Sequence, residues 1–595
     1  MSVAYSNDGS DKRALEDWIA PDCHGENFYD LDPHLDDLLR LYMPDDLREH
    51  MTPHFRALGE IAGTRLDKLA AMSDRHEPKL HYRDHYGRDQ DWIEFHPAYR
   101  EMEQIAYGDF GIHCMTHKPG VFGWRDKMPQ MAKYIFQYLF VQSEFGLMCP
   151  VSATDTSALL IERYGKKDVQ DRFLPGMYSQ DMTKILKGAQ FMTEKTGGSD
   201  VGNIELEARL EDDGEWRLYG EKWFCSCADG DVAVLLARPL GASNGSRGLG
   251  LFAMPRTLDD GTRNKYRIVR LKPKLGTKSM ASGEIIFDGA VAYPLGDVGE
   301  GDNLGLKQML DMVNMSRLSH GVRGAAMMRR CANESLIAAR NREAFGELII
   351  KKPLLRRQLM KVIVPTEQAI SGCLYTARML ERANAGDKTA EEVLRIMTPL
   401  VKFRICRDNV EVAQGAMEIR GGNGFIEDWV NPKLLRDSMT GLLWEGTSNI
   451  NALDVTTRAI AKVGAQEALQ ADLNDMIDSC DELPGQFKGE LSATAERAFA
   501  FAKEVAATNN QPLARQASDA LYNTATAFLM ATEGAMLGAM GHDARRLILS
   551  RMVVDHKLSA KDPLAVNDGG DNGMVAAILS EELVTLEQAQ ALIAG

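Results

Sequence analysis

No stretch of this sequence approaches the ~18 uninterrupted apolar residues that a membrane-crossing helix needs. The nearest, Ala525–Met540, is broken by Glu533 and by Thr526 and Thr532. The opening segment, MSVAYSNDGSDKRALEDW, has no apolar core behind a basic head, so no secretion signal is expected. Cysteine is sparse, at nine in 595 residues, and no CxxC pair occurs. Cys225 and Cys227 lie closest together, and on a strand that spacing merely places both on one face. Neither a disulfide framework nor a metal site is expected; reduced cysteines in a soluble, cytoplasmic protein account for them. Basic residues are also in deficit, with 69 Lys+Arg against 85 Asp+Glu and a net charge of −16. Wholesale nucleic-acid binding draws its affinity from phosphate neutralisation and is therefore disfavoured. There is no internal repeat and no low-complexity tract.

What is present is ordinary globular composition, 44% hydrophobic and 26% charged, in a chain too long for one core. An α+β architecture in four regions is expected. Residues 1–185 read as an N-terminal helical domain, for example over LDDLLRLYMPDDLREHMTPHFRALGEIAGTRLDKLAAM, whose apolar spacing is broken at Pro44 and Pro53. Over 186–298 the texture changes to β-branched and aromatic runs punctuated by glycine and aspartate, which predicts a middle antiparallel β domain. Helical spacing returns over 299–462. It continues through an alanine-rich C-terminal extension, 463–595, where Leu491, Ala495, Phe499, Ala502 and Ala506 mark one helix face.

Four short motifs carry possible chemistry, and each alone has an ordinary structural explanation. The run Gln190–Asp200 (QFMTEKTGGSD) sets hydroxyls around glycines before strands and offers donors to an anion or heterocycle, or is a glycine turn. Gly220–Ser226 (GEKWFCS) puts an aromatic pair and a hydroxyl on a strand, where the rings could be core. Arg420–Phe425 (RGGNGF) allows close backbone approach or a helix stop. Leu442–Ile450 (LLWEGTSNI) holds Glu445 against Trp444, where a carboxylate would have a raised pKa and could act as a base; a helix-start carboxylate capped by Thr447 or Ser448 is the alternative.

Taken together and in this order, the motifs resemble the acyl-CoA dehydrogenase family of flavoproteins, over roughly residues 90–460. Thr193-Glu194 and Gly198-Ser199-Asp200 match its flavin loop, Lys222–Ser226 its flavin strand, and Lys274-Leu275-Gly276 its middle-domain turn. Arg342, Phe345 and Gly346 match an element that reaches a neighbouring subunit's flavin; Gly421–Gly424 and Glu445-Gly446-Thr447 match the late glycine turn and the catalytic loop. The AidB-like branch, the bacterial adaptive-response proteins, looks closest through Met192–Asp200, Lys222-Trp223-Phe224, Arg270–Gly276 and Ala326–Arg330. Phe95–Ala98 and Leu147–Pro150 extend that likeness into the first domain.

The resemblance implies an acyl-CoA dehydrogenase-like fold, FAD, and α,β-dehydrogenation of an acyl-CoA to the enoyl-CoA. It also implies an electron-transferring flavoprotein as acceptor and a homo-oligomer, dimer or tetramer. Glu445 would be the catalytic base, taking the α-proton while hydride leaves for flavin N5; its backbone N–H and a flavin ribityl hydroxyl would polarise the carbonyl. Gln190, Met192, Thr193, Ser199, Phe224, Ser226, Arg342, Phe345, Gly421, Gly422, Trp444, Thr447 and Asn449 fall at cofactor-binding positions. Ser199, Arg317 and Gly446 fall at substrate-binding ones. Some members carry the base on the helix near Arg317, but here that position is Ser316 with no carboxylate on either side, which leaves Glu445.

Three departures stand out. Glu418 replaces the usual glutamine near the expected flavin diphosphate, Phe224 and Ser226 replace tryptophan and threonine, and Asn203-Ile204 is silent on chain length. Rival readings are a flavin-carrying, DNA-associated stress protein, a flavin oxidase, and a non-catalytic scaffold. Residues 466–595 hold 9 Lys+Arg against 19 Asp+Glu, which opposes duplex binding; Arg545, Arg546 and Arg551 form one basic spot, expected as a solvated helix face. Arg263–Lys278, with seven basic residues and no acid, could face coenzyme A phosphates but alternates as a half-exposed strand does.

Overall fold

The computed structural model describes residues 19–562, 564 and 571–594. The segment read for a secretion signal therefore lies outside the described residues, as do the first 18 residues of the expected N-terminal domain and 563, 565–570 and 595 of the extension. No described helix is long and apolar enough to cross a membrane.

The N-terminal part is helical, with one exception. Pro44 caps the Asp45–Ile61 helix, whereas Pro53 lies inside it without ending it. The proline forfeits one intrahelical N–H bond, and the buried Met51, Phe55 and Leu58 hold the helix in place regardless. The exception is a hairpin, β1 (Lys79–Arg83) and β2 (Asp89–Glu94), that the sequence pattern did not announce. β1 is almost wholly exposed, so it carries no apolar alternation to read. The hairpin is fastened by buried Asp91, whose Oδ2 accepts from Ile268 N at 2.9 Å and Arg263 Nη2 at 2.8 Å. Helices Gln130–Val141 and Met148–Tyr164 follow, buried along most of their length: the first packs among the Asp45–Ile61 helix and the long helices that come later, the second between the β domain and those helices.

The middle region is a seven-stranded sheet: β3 (Gly188–Phe191), β4 (Glu207–Leu210), β5 (Trp216–Ser226), β6 (Val232–Pro239), β7 (Gly250–Pro255), β8 (Tyr266–Leu271) and β9 (Ser282–Pro294). It folds back on itself, since β5 pairs with β9 and β9 also pairs with β7 and β8. It is not wholly antiparallel. β3 and β4 both run parallel to β6, one after the other along it, and both pair with β5 on the other side. They are two pieces of one strand path, and the loop containing Thr193 and Ser199 is the excursion between them. On β8, Tyr266 and Ile268 point inward while Arg267, Val269 and Arg270 face out, the expected half-exposed alternation.

Three long helices, Gly305–Asn341, Pro353–Asn384 and Lys388–Arg420, form the next layer, followed by Asn431–Gly441 and Ser448–Asp454. Beyond a left-handed Gly464, the helices Gly485–Ala507, Ala514–Ala539 and Arg545–Val553 pack with that layer and with one another. The predicted face Leu491, Ala495, Phe499, Ala502 and Ala506 is buried. The basic spot is not a solvated face. Arg546 is fully buried on Glu367 and Glu533, Arg545 is buried beside Asp543, and Arg551 pairs with Glu490 and Asp555. The helix is drawn inward because Glu533, which interrupts the apolar run, needs a cationic partner in the core.

Candidate active site

Between the Asn431–Gly441 and Ser448–Asp454 helices the chain turns through the Glu445 loop. Glu445 has φ 54° and Gly446 φ 91°, so a non-glycine residue occupies the left-handed region. Such a conformation costs ~1–3 kcal/mol and persists only where surrounding contacts impose it. They do so here. Lys402 Nζ donates to the carbonyls of Gly441 (2.6 Å) and Gly446 (2.8 Å), and Asn451 Nδ2 to those of Gly446 (2.7 Å) and Thr447 (3.1 Å). Arg317 donates from Nε to the Glu445 carbonyl at 3.3 Å and pairs through Nη1 with Asp454 at 2.7 Å. The Glu445 N–H, by contrast, has no acceptor among the described residues. Thr447 makes no side-chain cap bond, so the helix-start explanation of Glu445 does not hold.

The carboxylate itself is fixed from the Gly305–Asn341 helix, where Ser316 Oγ donates to Glu445 Oε1 at 2.9 Å. Burial raises the Glu445 pKa; the Ser316 hydrogen bond and the charges of Arg317, Lys402 and Arg323 pull it back only in part. The cations nearby are themselves under pressure. Burial lowers the pKa of Lys402, which binds carbonyls rather than a carboxylate, and brings Lys274 down to about 8. Trp444 packs edge-on to His320 at 5.8 Å. His320 Nδ1 lies 2.9 Å from the Ser316 carbonyl, which can only accept, so Nδ1 carries the proton.

The middle domain meets the Asn431–Gly441 helix, which leads into this loop, at two places. Thr277 N donates to Asp437 Oδ1 at 2.6 Å, and a Cβ on Gly276 would come within 2.4 Å of the Arg436 carbonyl; only glycine allows that approach. Lys274 Nζ donates to Met280 O and contacts Ser282 Oγ, and Ser282 lies opposite Ser226 in the β5–β9 ladder. Ser226 thus lies on the strand pair that Lys274 reaches. Phe224, on the same strand, is 47% exposed, so it is not core. The Lys272 ammonium covers the Trp223 ring at 3.5 Å and the Phe224 ring at 4.6 Å. The loop between β3 and β4 is braced by buried Glu194, which accepts from Lys222 Nζ at 2.6 Å and from the Glu205 and Leu206 amides. Trp223 N donates to Thr193 O at 2.8 Å and sets Thr193 beside β5. The Thr193, Ser199 and Ser226 hydroxyls have no acceptor or donor among the described residues, and Met192 is half-buried with its carbonyl on Lys222. Gln190 Nε2 is engaged with Thr156 Oγ1 at 2.7 Å.

A second group gathers at the end of the Lys388–Arg420 helix. Arg342 Nη1 donates to Arg420 O at 3.3 Å and lies against Gly421, which has φ 75°; nothing is near a Cβ placed on Gly422. Phe345 sits on a two-residue hairpin, β10 (Glu343–Ala344) and β11 (Glu347–Leu348), with φ 54° and its ring 96% exposed. Glu418 is exposed and accepts from Gln358 and Gln414. Asn449 is exposed too, with Oδ1 receiving Arg515 Nε at 2.8 Å.

Family models match along most of the chain: "Adaptive response protein AidB N-terminal domain" over 19–182, "Acyl-CoA dehydrogenase, middle domain" over 189–290, and "Acyl-CoA dehydrogenase, C-terminal domain" over 303–460. The putative acyl-CoA dehydrogenase AidB of Escherichia coli is 32% identical over 429 residues, 69% of this chain and 75% of that protein. This chain belongs to the acyl-CoA dehydrogenase family. Its first domain is of the AidB type. Among solved structures, Caenorhabditis elegans ACDH-11 in complex with C11-CoA superposes with a TM-score of 0.83 at 25% identity, over 94% of this chain and 96% of that one. A Bacillus anthracis acyl-CoA dehydrogenase complexed with FAD shares the fold, with a TM-score of 0.64 at 16% identity over 98% and 97% of the two chains.

Against the acyl-CoA dehydrogenase pattern, the sequence reading overlooked what holds Glu445: Lys402, Asn451 and the Ser316 hydroxyl. Lys402 and Asn451 lie in helices whose periodicity gives no reason to single them out. Ser316 stands out in the sequence only for lacking a carboxylate. Arg317 is occupied by Asp454 and the Glu445 carbonyl, which makes it a brace of the loop.

Proposed function

We propose that this chain is an FAD-dependent acyl-CoA dehydrogenase that converts an acyl-CoA thioester to the 2-enoyl-CoA, with Glu445 as the base for the α-proton. The observation that carries the reading is the Glu445 loop. A carboxylate with a raised pKa is held by Ser316, in a strained turn whose carbonyls are tied down while the Glu445 N–H stays free.

The α-hydrogen of a thioester is too weakly acidic for a carboxylate in water. Burial lifts the basicity of Glu445, and a free amide beside it can donate to the thioester oxygen as charge develops there. Holding the loop in advance means that no reorganisation is needed when the proton moves.

The residues fit a flavin. Thr193 and Ser226 present free hydroxyls on adjoining elements, Phe224 offers an exposed ring face, and the Glu194–Lys222 pair keeps the loop in shape. Bound FAD supplies the acceptor for the β-hydrogen as hydride. Gln190, Met192, Ser199, Trp444, Thr447 and Asn449 complete the proposed cofactor set, with Ser199, Arg317 and Gly446 toward the substrate. Phe345, a ring left 96% exposed on a tight hairpin beside Arg342, Gly421 and Gly422, supports a homo-oligomer in which this corner serves the neighbouring copy's flavin. An electron-transferring flavoprotein is the proposed acceptor. The arginines that could have offered a duplex patch are engaged in ion pairs, which favours the dehydrogenase over a DNA-associated role.

The test is anaerobic titration of the FAD-loaded protein with acyl-CoAs. Bleaching of the flavin band by a thioester supports the proposal. A flavin that dithionite reduces but no thioester bleaches overturns it.

A further inference from the structure

Ser316, Ser319 and Arg323 lie on one face of the Gly305–Asn341 helix, spaced three, four and seven residues apart. Ser316 holds the base. Two turns on, Arg323 is 1% exposed, and no carboxylate lies within salt-bridge distance of it among the described residues. Its Nε and Nη2 both donate to Ser319 Oγ, at 3.1 and 3.0 Å, which turns the side chain back toward Ser316. Its Nη1 is buried with no hydrogen-bond partner.

A buried guanidinium with an idle donor is costly, because neither water nor a counter-ion replaces its lost hydration. The other buried arginines on this helix are not left so. Arg317 has Asp454, Arg329 has Asp32 and Glu367, and Arg330 has Asp67 and Glu334. Arg323 alone faces a different setting. Against it lie the Phe145 ring, 5.8 Å from the guanidinium carbon, and the Cys149 thiol, a weak acceptor that is the guanidinium's one other polar neighbour on this side. Cys149 is the one cysteine of the nine that is not buried, and its environment includes Glu445 and Lys274 as well as Arg323. Glu445 is likewise only half-buried. The base and the thiol are therefore partly open, and the buried guanidinium lies close behind both. Lys402 and Lys274, the other cations there, are spent on carbonyl and hydroxyl oxygens.

We infer that Arg323 is a specificity-determining residue that receives a carboxylate on the far end of the acyl chain, so that the preferred substrate is the CoA monothioester of a dicarboxylic acid. This inference rests on the dehydrogenase reading of the Glu445 site. The guanidinium is drawn back to the level of Ser319, about one helical turn, ~5 Å, from Ser316, so a chain of a few carbons joins the carbon facing Glu445 to the anion. A carboxylate supplies both the acceptor for Nη1 and the counter-charge; a methyl terminus supplies neither.

The experiment compares matched CoA thioesters of equal chain length ending in methyl, in a ketone, or in carboxylate, by anaerobic flavin bleaching and by calorimetry with non-reactive thioether analogues. The expected result is a preference for the carboxylate-ended compound of ~100-fold or more over the methyl-ended one, as a site with a buried unpaired donor discriminates. Arg323→Met is expected to abolish that preference while retaining the methyl-ended substrate, and Arg323→Lys to restore part of it. If wild-type protein handles the methyl-ended thioester as well or better, the inference falls and the dehydrogenase reading stands. A ketone-ended compound matching the carboxylate overturns the anion and leaves only a hydrogen bond. If no thioester bleaches a dithionite-reducible flavin, both readings fall together. The wild-type comparison decides even if the variants do not fold.

Discussion

Ser316 Oγ donates to Glu445 Oε1 at 2.9 Å, and this hydrogen bond offsets part of the basicity that burial gives the loop's carboxylate. It favours the carboxylate form and opposes the burial that raises the pKa. Ser316→Ala removes the donor, so the Glu445 pKa rises further. Protonation silences the base, and activity is lost as pH falls through that pKa; the acid limb of the rate profile therefore moves to higher pH. A hydrogen bond to a charged group is worth ~1.5 kcal/mol, or about one pH unit. The profile of anaerobic flavin reduction measures it. An acid limb that stays put or moves down shows that Ser316 does not set the base.

Glu445→Gln keeps the shape of the side chain and removes its basicity. Reduction by a competent acyl-CoA is expected to slow by ~10²–10⁴-fold, while binding of the thioester, read from perturbation of the flavin spectrum, survives. Unchanged turnover would mean that the α-proton goes elsewhere.

The order of domains was legible because helical and strand periodicities differ, and the motifs carried residue types that stand out in a linear reading. Glu445 could be picked because it sits between tryptophan and glycine. Its supports could not. Lys402 is distant in the chain and donates to backbone carbonyls, which have no sequence signature. The same blindness explains Arg546. Composition alone assigned it to a helix surface, whereas its partner Glu367 lies 179 residues away and Glu533 sits one helix earlier. The parallel β3–β6 and β4–β6 ladders were hidden because β3 and β4 are too short to show a period.

Glu194 and Lys222 form a buried pair under the loop assigned to the flavin. Removing one partner leaves an uncompensated charge, a loss of ~3–5 kcal/mol. Lys222→Met is expected to weaken flavin retention and lower the urea midpoint, because Glu194 also holds the Glu205 and Leu206 amides. The double change Lys222→Met with Glu194→Leu should recover part of the stability but not the flavin affinity, since the loop amides then lose their acceptor. Urea unfolding with a flavin fluorescence titration separates the two. Full flavin affinity in the double variant would show that the loop needs no brace.

Arg546 decides between two accounts of the C-terminal helices. As a surface cation it would contribute to duplex binding and almost nothing to stability. The structure places it between Glu367 and Glu533, at 2.5 and 2.8 Å, with Tyr42 and Ser371 on Glu533 and Arg329 on Glu367. This network joins the N-terminal segment, the long-helix layer and the extension, so cutting it loosens contacts among all three. Arg546→Met strands a carboxylate in the core and should cost ~3–5 kcal/mol. The expected signature is a lower urea midpoint, with no change in retention on a duplex-DNA column. Conversely, a variant that is as stable as wild type but loses duplex retention would return the arginine to the surface and revive the DNA-associated reading.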